Sequence, residues 1–335
     1  MRISSSILII ASIALISCGQ NPPTTGPSGF YTDLHLILNE GPFGSGTGTI
    51  TAYDADTVIE SAFATENGFP LGNVAQHMVE SDSLLFVAIN NSNNVYAVNR
   101  NTLQHKWTVG LEQPRYLAAY GSNIFVSNWK DSAVYVLSKE TGAQVDSIYV
   151  GNFSEQMMVF DNKLFVGVGT YEGPYKIAEI NVNTFEVTLH NTGDVPNSFA
   201  IIGNELYVMN SGEQNWGISP DTKSSIWKYT GSGFSEQAIA PNTNKHAISL
   251  VSDGTNGYFL NNSYDGAIVK WTPGQNWQTS AMTLPGGYKL NAHEANLFFL
   301  DAKDYASNGE LRVYSTSGDL LETVPAGVIP RQVIY

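Results

Sequence analysis

Gln113-Pro-Arg-Tyr-Leu-Ala-Ala-Tyr120, Ile124-Phe-Val-Ser-Asn-Trp129, Ala133-Val-Tyr-Val-Leu-Ser138 and Gln144-Val-Asp-Ser-Ile-Tyr-Val-Gly151 are four consecutive short runs rich in β-branched and aromatic residues. Turn formers separate them: Gly121-Ser-Asn123, Lys130-Asp-Ser132 and Lys139-Glu-Thr-Gly142. Runs of this length bounded in this way read as strands. None carries the apolar period of a helix.

Working outward, the second run recurs. Leu34-His-Leu-Ile-Leu-Asn39, Leu85-Phe-Val-Ala-Ile-Asn90, Leu164-Phe-Val-Gly-Val168, Leu206-Tyr-Val-Met-Asn210, Tyr258-Phe-Leu-Asn261 and Leu297-Phe-Phe-Leu-Asp301 bring the total to seven copies. Each is followed by a polar, often aromatic loop and a further strand, from Gly48-Thr-Ile-Thr-Ala-Tyr53 to Glu310-Leu-Arg-Val-Tyr314. A period of roughly 40 residues with four strands per unit is the pattern of a β-propeller. The first unit lacks a strand before Leu34, and the final segment Gly327-Val-Ile-Pro-Arg-Gln-Val-Ile-Tyr335 supplies one, with the same Pro-Arg opening as Pro114-Arg115. The expectation is an all-β, seven-bladed propeller in one domain over residues 31–335, its C-terminal strand closing blade one and removing the open edges. Longer intervals at Glu66-Asn-Gly-Phe-Pro-Leu-Gly72, Glu213 to Lys223 and Pro241 to Lys245 read as loop insertions, which in repeat arrays decorate one face.

Composition agrees with such a fold: 42% hydrophobic residues, 14% charged, and abundant Gly. The net charge of −14 lacks the basic footprint that nucleic acid requires.

Residues 1–17 read as a signal peptide: Arg2, the mostly apolar stretch Ile7 to Ile16, then small residues before Cys18. That stretch is shorter than the roughly 20 residues a membrane-spanning helix needs. Leu15-Ile16-Ser17-Cys18 resembles the lipobox of bacterial lipoproteins, and the resemblance implies lipidation of Cys18, the chain's single cysteine. With one cysteine there is no disulfide and no cysteine-based metal site. Residues 18–30 are then the lipidated cysteine and a Pro- and Gly-rich tether. Gly19 after the cysteine points, by bacterial sorting rules, to the outer membrane in either leaflet.

Ile124-Phe-Val-Ser-Asn-Trp129 through Val134-Tyr-Val-Leu137, with Lys139-Glu-Thr-Gly142 and Ile148-Tyr-Val-Gly151, resembles the YVTN-type propeller repeat, although Ser138 and Ser154 replace its usual Asp and Pro. Leu38-Asn-Glu-Gly-Pro-Phe-Gly44, Asn67-Gly-Phe-Pro-Leu-Gly-Asn-Val74, Asn90-Asn-Ser92 and Pro114-Arg-Tyr116 look like the YncE-like surface lipoproteins of the Bacteroidetes. That group includes the BtuG type, which holds vitamin B12 for a TonB-dependent transporter. The resemblance implies a lipid-anchored propeller and leaves the ligand open.

In a propeller, the loops between second and third strands share a face with the loops that enter each innermost strand. Aligned innermost strands place Gln76, Arg115, Glu155, Asn197, His246, Tyr288 and Arg331 around the central mouth. The loops add Asn39 with Phe43, Asn90 with Asn91, Asn128 with Trp129, Tyr171 with Tyr175, Asn210 with Trp216, Tyr264 with Asp265, and Lys303 with Tyr305. Amides offer donors and acceptors without charge, and Tyr and Trp combine an apolar plate with a polar tip. From these, Arg115, Trp129, Glu155, Tyr171, Asn197, Trp216, His246, Tyr264 and Arg331 are the candidate ligand-binding residues, suited to a corrinoid, a siderophore or a glycan. The competing structural reading is that the amides close turns and the aromatics cap blade ends. Arg115 and Arg331 can grip a phosphate or carboxylate, or pair with Glu155 at the channel mouth.

Motifs for catalysis, metals and cofactors are thin. His293-Glu294 is followed by Leu297 where a second zinc ligand would stand, and Gly44-Ser-Gly46-Thr-Gly48 precedes no helix. Asp54-Ala-Asp56 lacks the remaining ligands of a calcium loop, and there is no Gly-x-Ser-x-Gly elbow. The expectation is a non-enzymatic outer-membrane capture protein that works beside a TonB-dependent transporter, without cofactor or metal. The alternatives are a propeller hydrolase or lactonase with a central-channel site, for which the ring offers only Glu155 and His246, and an envelope interaction scaffold; His77 and His246 either approach each other across the mouth or are simply solvated or hydrogen-bonded histidines.

Overall fold

The structure is a computed structural model, and it describes residues 30–335 except 45, 244, 263–265, 280–281 and 283–286. Seven antiparallel sheets are arranged as blades. Blade three consists of Pro114–Tyr120, Asn123–Asn128, Ala133–Ser138 and Gln144–Tyr149, paired in that order from the axis outward. Pro330–Ile334 pairs antiparallel with His35–Asn39, so the C-terminal strand is the innermost strand of blade one and closes the ring. Blade six shows three strands among the described residues, Ile248–Ser252, Gly257–Leu260 and Ile268–Trp271.

The burial pattern explains why the repeated second strand is a continuous apolar run and not an alternation. Each blade is covered on both faces by its neighbours, so strands such as Leu84–Ile89 and Asn123–Asn128 are buried at every position after the first. Seven apolar clusters result, one at each interface between adjacent blades. The outermost strand Gln144–Tyr149, which faces solvent, buries only Ile148. Fully burying a side chain such as Phe86, Phe125 or Phe165 contributes about 1.5–3 kcal/mol, which makes these inter-blade layers the main stabilising term.

Side chains reach across the axis-facing layer to fasten neighbouring blades. Gln332 accepts from the Met78 N–H and donates to the Met78 carbonyl, both at 2.8 Å. Asn291 accepts from the Val333 N–H at 2.7 Å, and His77 Nδ1 from the Leu117 N–H at 3.2 Å. The Glu66–Gly72 insertion is not wholly a loop. Ala62–Asn67 is a short helix that buries Ala62 and Phe63 against blades one and two, because Phe63 has an apolar seat against Tyr96. Among the described residues no helix is long and apolar enough to cross a membrane.

Candidate functional site

The innermost strands carry a recurring irregularity at the loop-face end. Register shifts by one residue between Ala75 and His77, Pro114 and Leu117, Ser154 and Met157, and Pro196 and Ser198, and again where Pro330 and Gln332 meet Asn39 and Leu38. Each bulge places an extra residue against its partner strand, which re-aims a side chain. The residues within these bulges include Gln76, Arg115, Glu155, Asn197 and Arg331, five of the seven expected around the mouth. The residues entering four of the strands have left-handed backbones: Val74 (φ 59°), Gln113 (φ 48°), Val195 (φ 56°) and Ile329 (φ 56°). For β-branched residues this is strained, at a cost of about 1–3 kcal/mol each, and it persists only where surrounding structure enforces it.

The bulges open onto a central cavity of about 550 Å³ whose wall includes His77, Arg115, Glu155, Asn197, Lys289 and Arg331. At blades three and four, four of the expected residues come together. The Arg115 guanidinium lies 3.8 Å from the Trp129 ring centroid, donates to Gln76 Oε1 at 2.7 Å and sits 3.4 Å from both Glu155 oxygens. Trp129 Nε1 donates to Glu155 Oε1 at 2.9 Å, Thr170 adds a hydroxyl at 3.2 Å, and Tyr171 meets Trp129 edge-on at 5.5 Å. Glu155 thus fixes the indole, the indole supports the guanidinium, and Tyr171 stands out from the cluster 67% exposed.

Arg331 takes another set of partners. It donates to Glu40 Oε2 at 2.9 Å, to the Tyr288 hydroxyl at 3.1 Å and to the Tyr116 hydroxyl at 2.9 Å, and Tyr288 also donates to Glu40 at 2.9 Å. Burial alone would raise the Glu40 carboxyl, but Arg331 and the Tyr288 hydroxyl outweigh it and hold it below the usual carboxylate value. Glu40 was missed in the sequence, although it follows Asn39 just as Trp129 follows Asn128, and the two asparagines pair with Pro330 and Pro114 in equivalent registers.

Other expected residues are engaged within the fold. Asn197 lines the cavity, but its amide donates to Ser211 Oγ and to the Ala247 carbonyl. His246 Nδ1 faces the Ser211 and Gly212 carbonyls at 3.1 Å each, which places the proton there, and Nε2 lies 3.5 Å from Asp221. It therefore clamps the loop that carries Trp216, whose indole is 73% exposed. The loop amides Asn39, Asn90 and Asn128 are buried and act as fasteners: Asn39 bonds Thr49 and Thr51, Asn90 bonds the Pro114 carbonyl, and Asn128 bonds the Glu112 carbonyl. Asn39 thus closes its own loop, while Asn90 ties its blade to the next one. Tyr264 and Cys18 lie outside the described residues.

His77 and His246 do not meet. His77 packs against Tyr116 at 5.0 Å, and burial, with Arg331 nearby, pushes its imidazole down to about 3, consistent with the neutral ring that the Leu117 bond requires. Among the described residues no three His, Cys, Asp or Glu side chains gather as a metal-ligand group. Lys289, on the innermost strand of blade seven, was also missed. It is one residue beyond Tyr288, and no alternation or motif marks it.

No family model matches the chain, and no curated protein does. Solved structures do. A quinoprotein alcohol dehydrogenase-like protein of Bacteroides thetaiotaomicron superposes with a TM-score of 0.66 at 15% identity, over 91% of this chain and 78% of that one. A candidate 6-phosphogluconolactonase of Bacteroides fragilis gives 0.64 at 14% identity, over 94% and 100%. AztD of Citrobacter koseri gives 0.54 at 10%, over 90% and 96%. At these identities the likeness carries the propeller fold and nothing about chemistry.

Proposed function

We propose that this protein is an envelope lipoprotein of the YncE-like kind that captures a ligand on the loop face of its propeller and presents it to a TonB-dependent transporter. The observation that carries the reading is the assembly of Arg115, Trp129, Glu155 and Tyr171. An indole held by a carboxylate, with a guanidinium stacked on it, is a preorganised plate for a flat or ring-bearing polar ligand. Phe43, 80% exposed, and the exposed Trp216 and Tyr305 stand on other loops of the same face, so that face carries several exposed aromatic side chains. Concave sites with few placed polar groups and aromatic walls are typical of small-molecule capture. The lipobox-like Leu15-Ile16-Ser17-Cys18 supports the membrane anchor.

Isothermal titration of the purified protein against corrinoids, siderophores and oligosaccharides tests the reading. Saturable binding by one class, with the compound recovered unchanged, is expected. Silence across all three classes overturns capture, and turnover of a bound compound moves the protein to the hydrolase reading.

A further inference from the structure

The central cavity has a charge balance of its own. Its wall carries Arg115, Lys289 and Arg331 against one carboxylate, Glu155, while Glu40 stands behind Arg331. With every group ionised, three cations face two carboxylates, a local excess of positive charge in a chain whose net charge is −14.

The three cations differ in what they hold. Arg331 spends its terminal nitrogens on Glu40, Tyr116 and Tyr288. Arg115 spends its own on Gln76 and, at longer range, on Glu155. The Lys289 ammonium has no hydrogen bond or ion pair among the described residues, and its contact is with the face of the Tyr288 ring, 5.3 Å from the centroid. An ammonium with three donors and no protein acceptor, half-buried on a cavity wall, has its donors left over for a ligand. Its natural complement is a negatively charged oxygen supplied from outside.

We propose that the central cavity is an oxyanion seat in which Lys289, with Arg115 on the same cavity wall, receives a carboxylate or phosphate group of the ligand held at the loop face. The inference rests on the capture reading and narrows its ligand class: the part of the ligand that enters the mouth is anionic, while its apolar or ring-bearing part rests on Trp129 and Tyr171. The amine's own chemistry agrees. Burial, with Arg331 and Arg115 close by, brings the Lys289 ammonium down to about 7, so near neutrality it exchanges readily between a free amine and an anion-holding cation. The titratable and charged groups around it are Arg331, Arg115, Glu40, Glu155 and the Tyr288 hydroxyl, and the two carboxylates already have cationic partners.

Trace acetylation of the purified protein with acetic anhydride at neutral pH, with labelled lysines mapped by peptide mass spectrometry, tests the seat. Lys289 should acylate faster than the exposed Lys130, and its labelling should slow several-fold when inorganic phosphate or citrate is added, with Lys130 unaffected. Protection by citrate alone assigns a carboxylate, by phosphate alone a phosphate, and by both a general oxyanion seat. Equal labelling with and without either anion overturns the proposal. The thermal upshift produced by the protecting anion should vanish in Lys289→Gln, and if that variant does not fold, the wild-type labelling decides. No ligand has to be known for this experiment. Its failure removes the seat alone, and an empty ligand screen with protection intact removes the capture reading alone.

Discussion

Arg115 and Arg331 occupy the same place in two blades and do different things. Both follow a proline at the start of an innermost strand, and both lie in the bulge opposite the end of the second strand. Arg331 is held by a carboxylate and two hydroxyls, and its side chain is 7% exposed. Arg115 has one short bond to a neutral amide, a 3.4 Å approach to Glu155 and an indole under its face. One residue decides the difference. The position after the second-strand asparagine is Glu40 in blade one and Trp129 in blade three. A carboxylate there completes a buried ion pair. An aromatic there stacks on the guanidinium and leaves its charge to Glu155 of the next blade, at 3.4 Å. The first arrangement ties the closing strand to blade one, and the second is the one the capture reading uses.

The largest effect is expected at Arg331. Arg331→Ala leaves Glu40 buried without its counter-charge, and breaking a buried pair in this way costs about 3–5 kcal/mol. Urea unfolding should show that loss, and Glu40→Gln, which keeps an acceptor but leaves Arg331 buried without its counter-charge, should show one of similar order. Acid sharpens the test. Because the folded Glu40 carboxyl lies below its ordinary 4.5, the unfolded chain takes up the proton first. The stability from the pair is complete above 4.5 and is lost as the pH falls through the folded value, so the acid slope of unfolding free energy should flatten in Glu40→Gln.

Arg115→Ala should cost less stability and more affinity. It too leaves a buried carboxylate without its cation, but this pair is the longer one, 3.4 Å against 2.9 Å, and Glu155 keeps Trp129 and Thr170. The stability loss should not exceed about 3 kcal/mol, the low end for a broken buried pair, while ligand affinity falls at least about tenfold, which is about 1.4 kcal/mol. An unchanged affinity in titration would make Arg115 a second strut. The smallest effect is expected at Trp216→Ala. A side chain this exposed changes stability by less than about 0.5 kcal/mol, and titration should register a few-fold loss of affinity.

Much of this was legible from particular residues. Leu85-Phe-Val-Ala-Ile-Asn90 and its copies announce strands buried on both faces, and the shared Pro-Arg of 114–115 and 330–331 announces both the closure and the equivalence of the arginines. The bulges were not legible. A register shift falls at the polar end of the strand, where no apolar alternation exists to be interrupted, so nothing in Pro196-Asn-Ser198 marks the extra residue. The roles of the asparagines were half legible: their recurrence is plain, but whether an amide faces a ligand or the neighbouring loop depends on where that loop passes.

The period, the number of blades and the strand that closes the ring follow from repeated local patterns and can be read without any coordinates. Only the tertiary structure decided the partners. Arg331 meets Glu40 across 291 residues of chain, Gln332 meets Met78 across 254, and Lys289 is brought beside charges from other blades. Those pairings arise when the circle closes and each bulge turns a side chain toward the axis. Whether a charge is saturated or left free is a property of the closed ring, which no single blade contains.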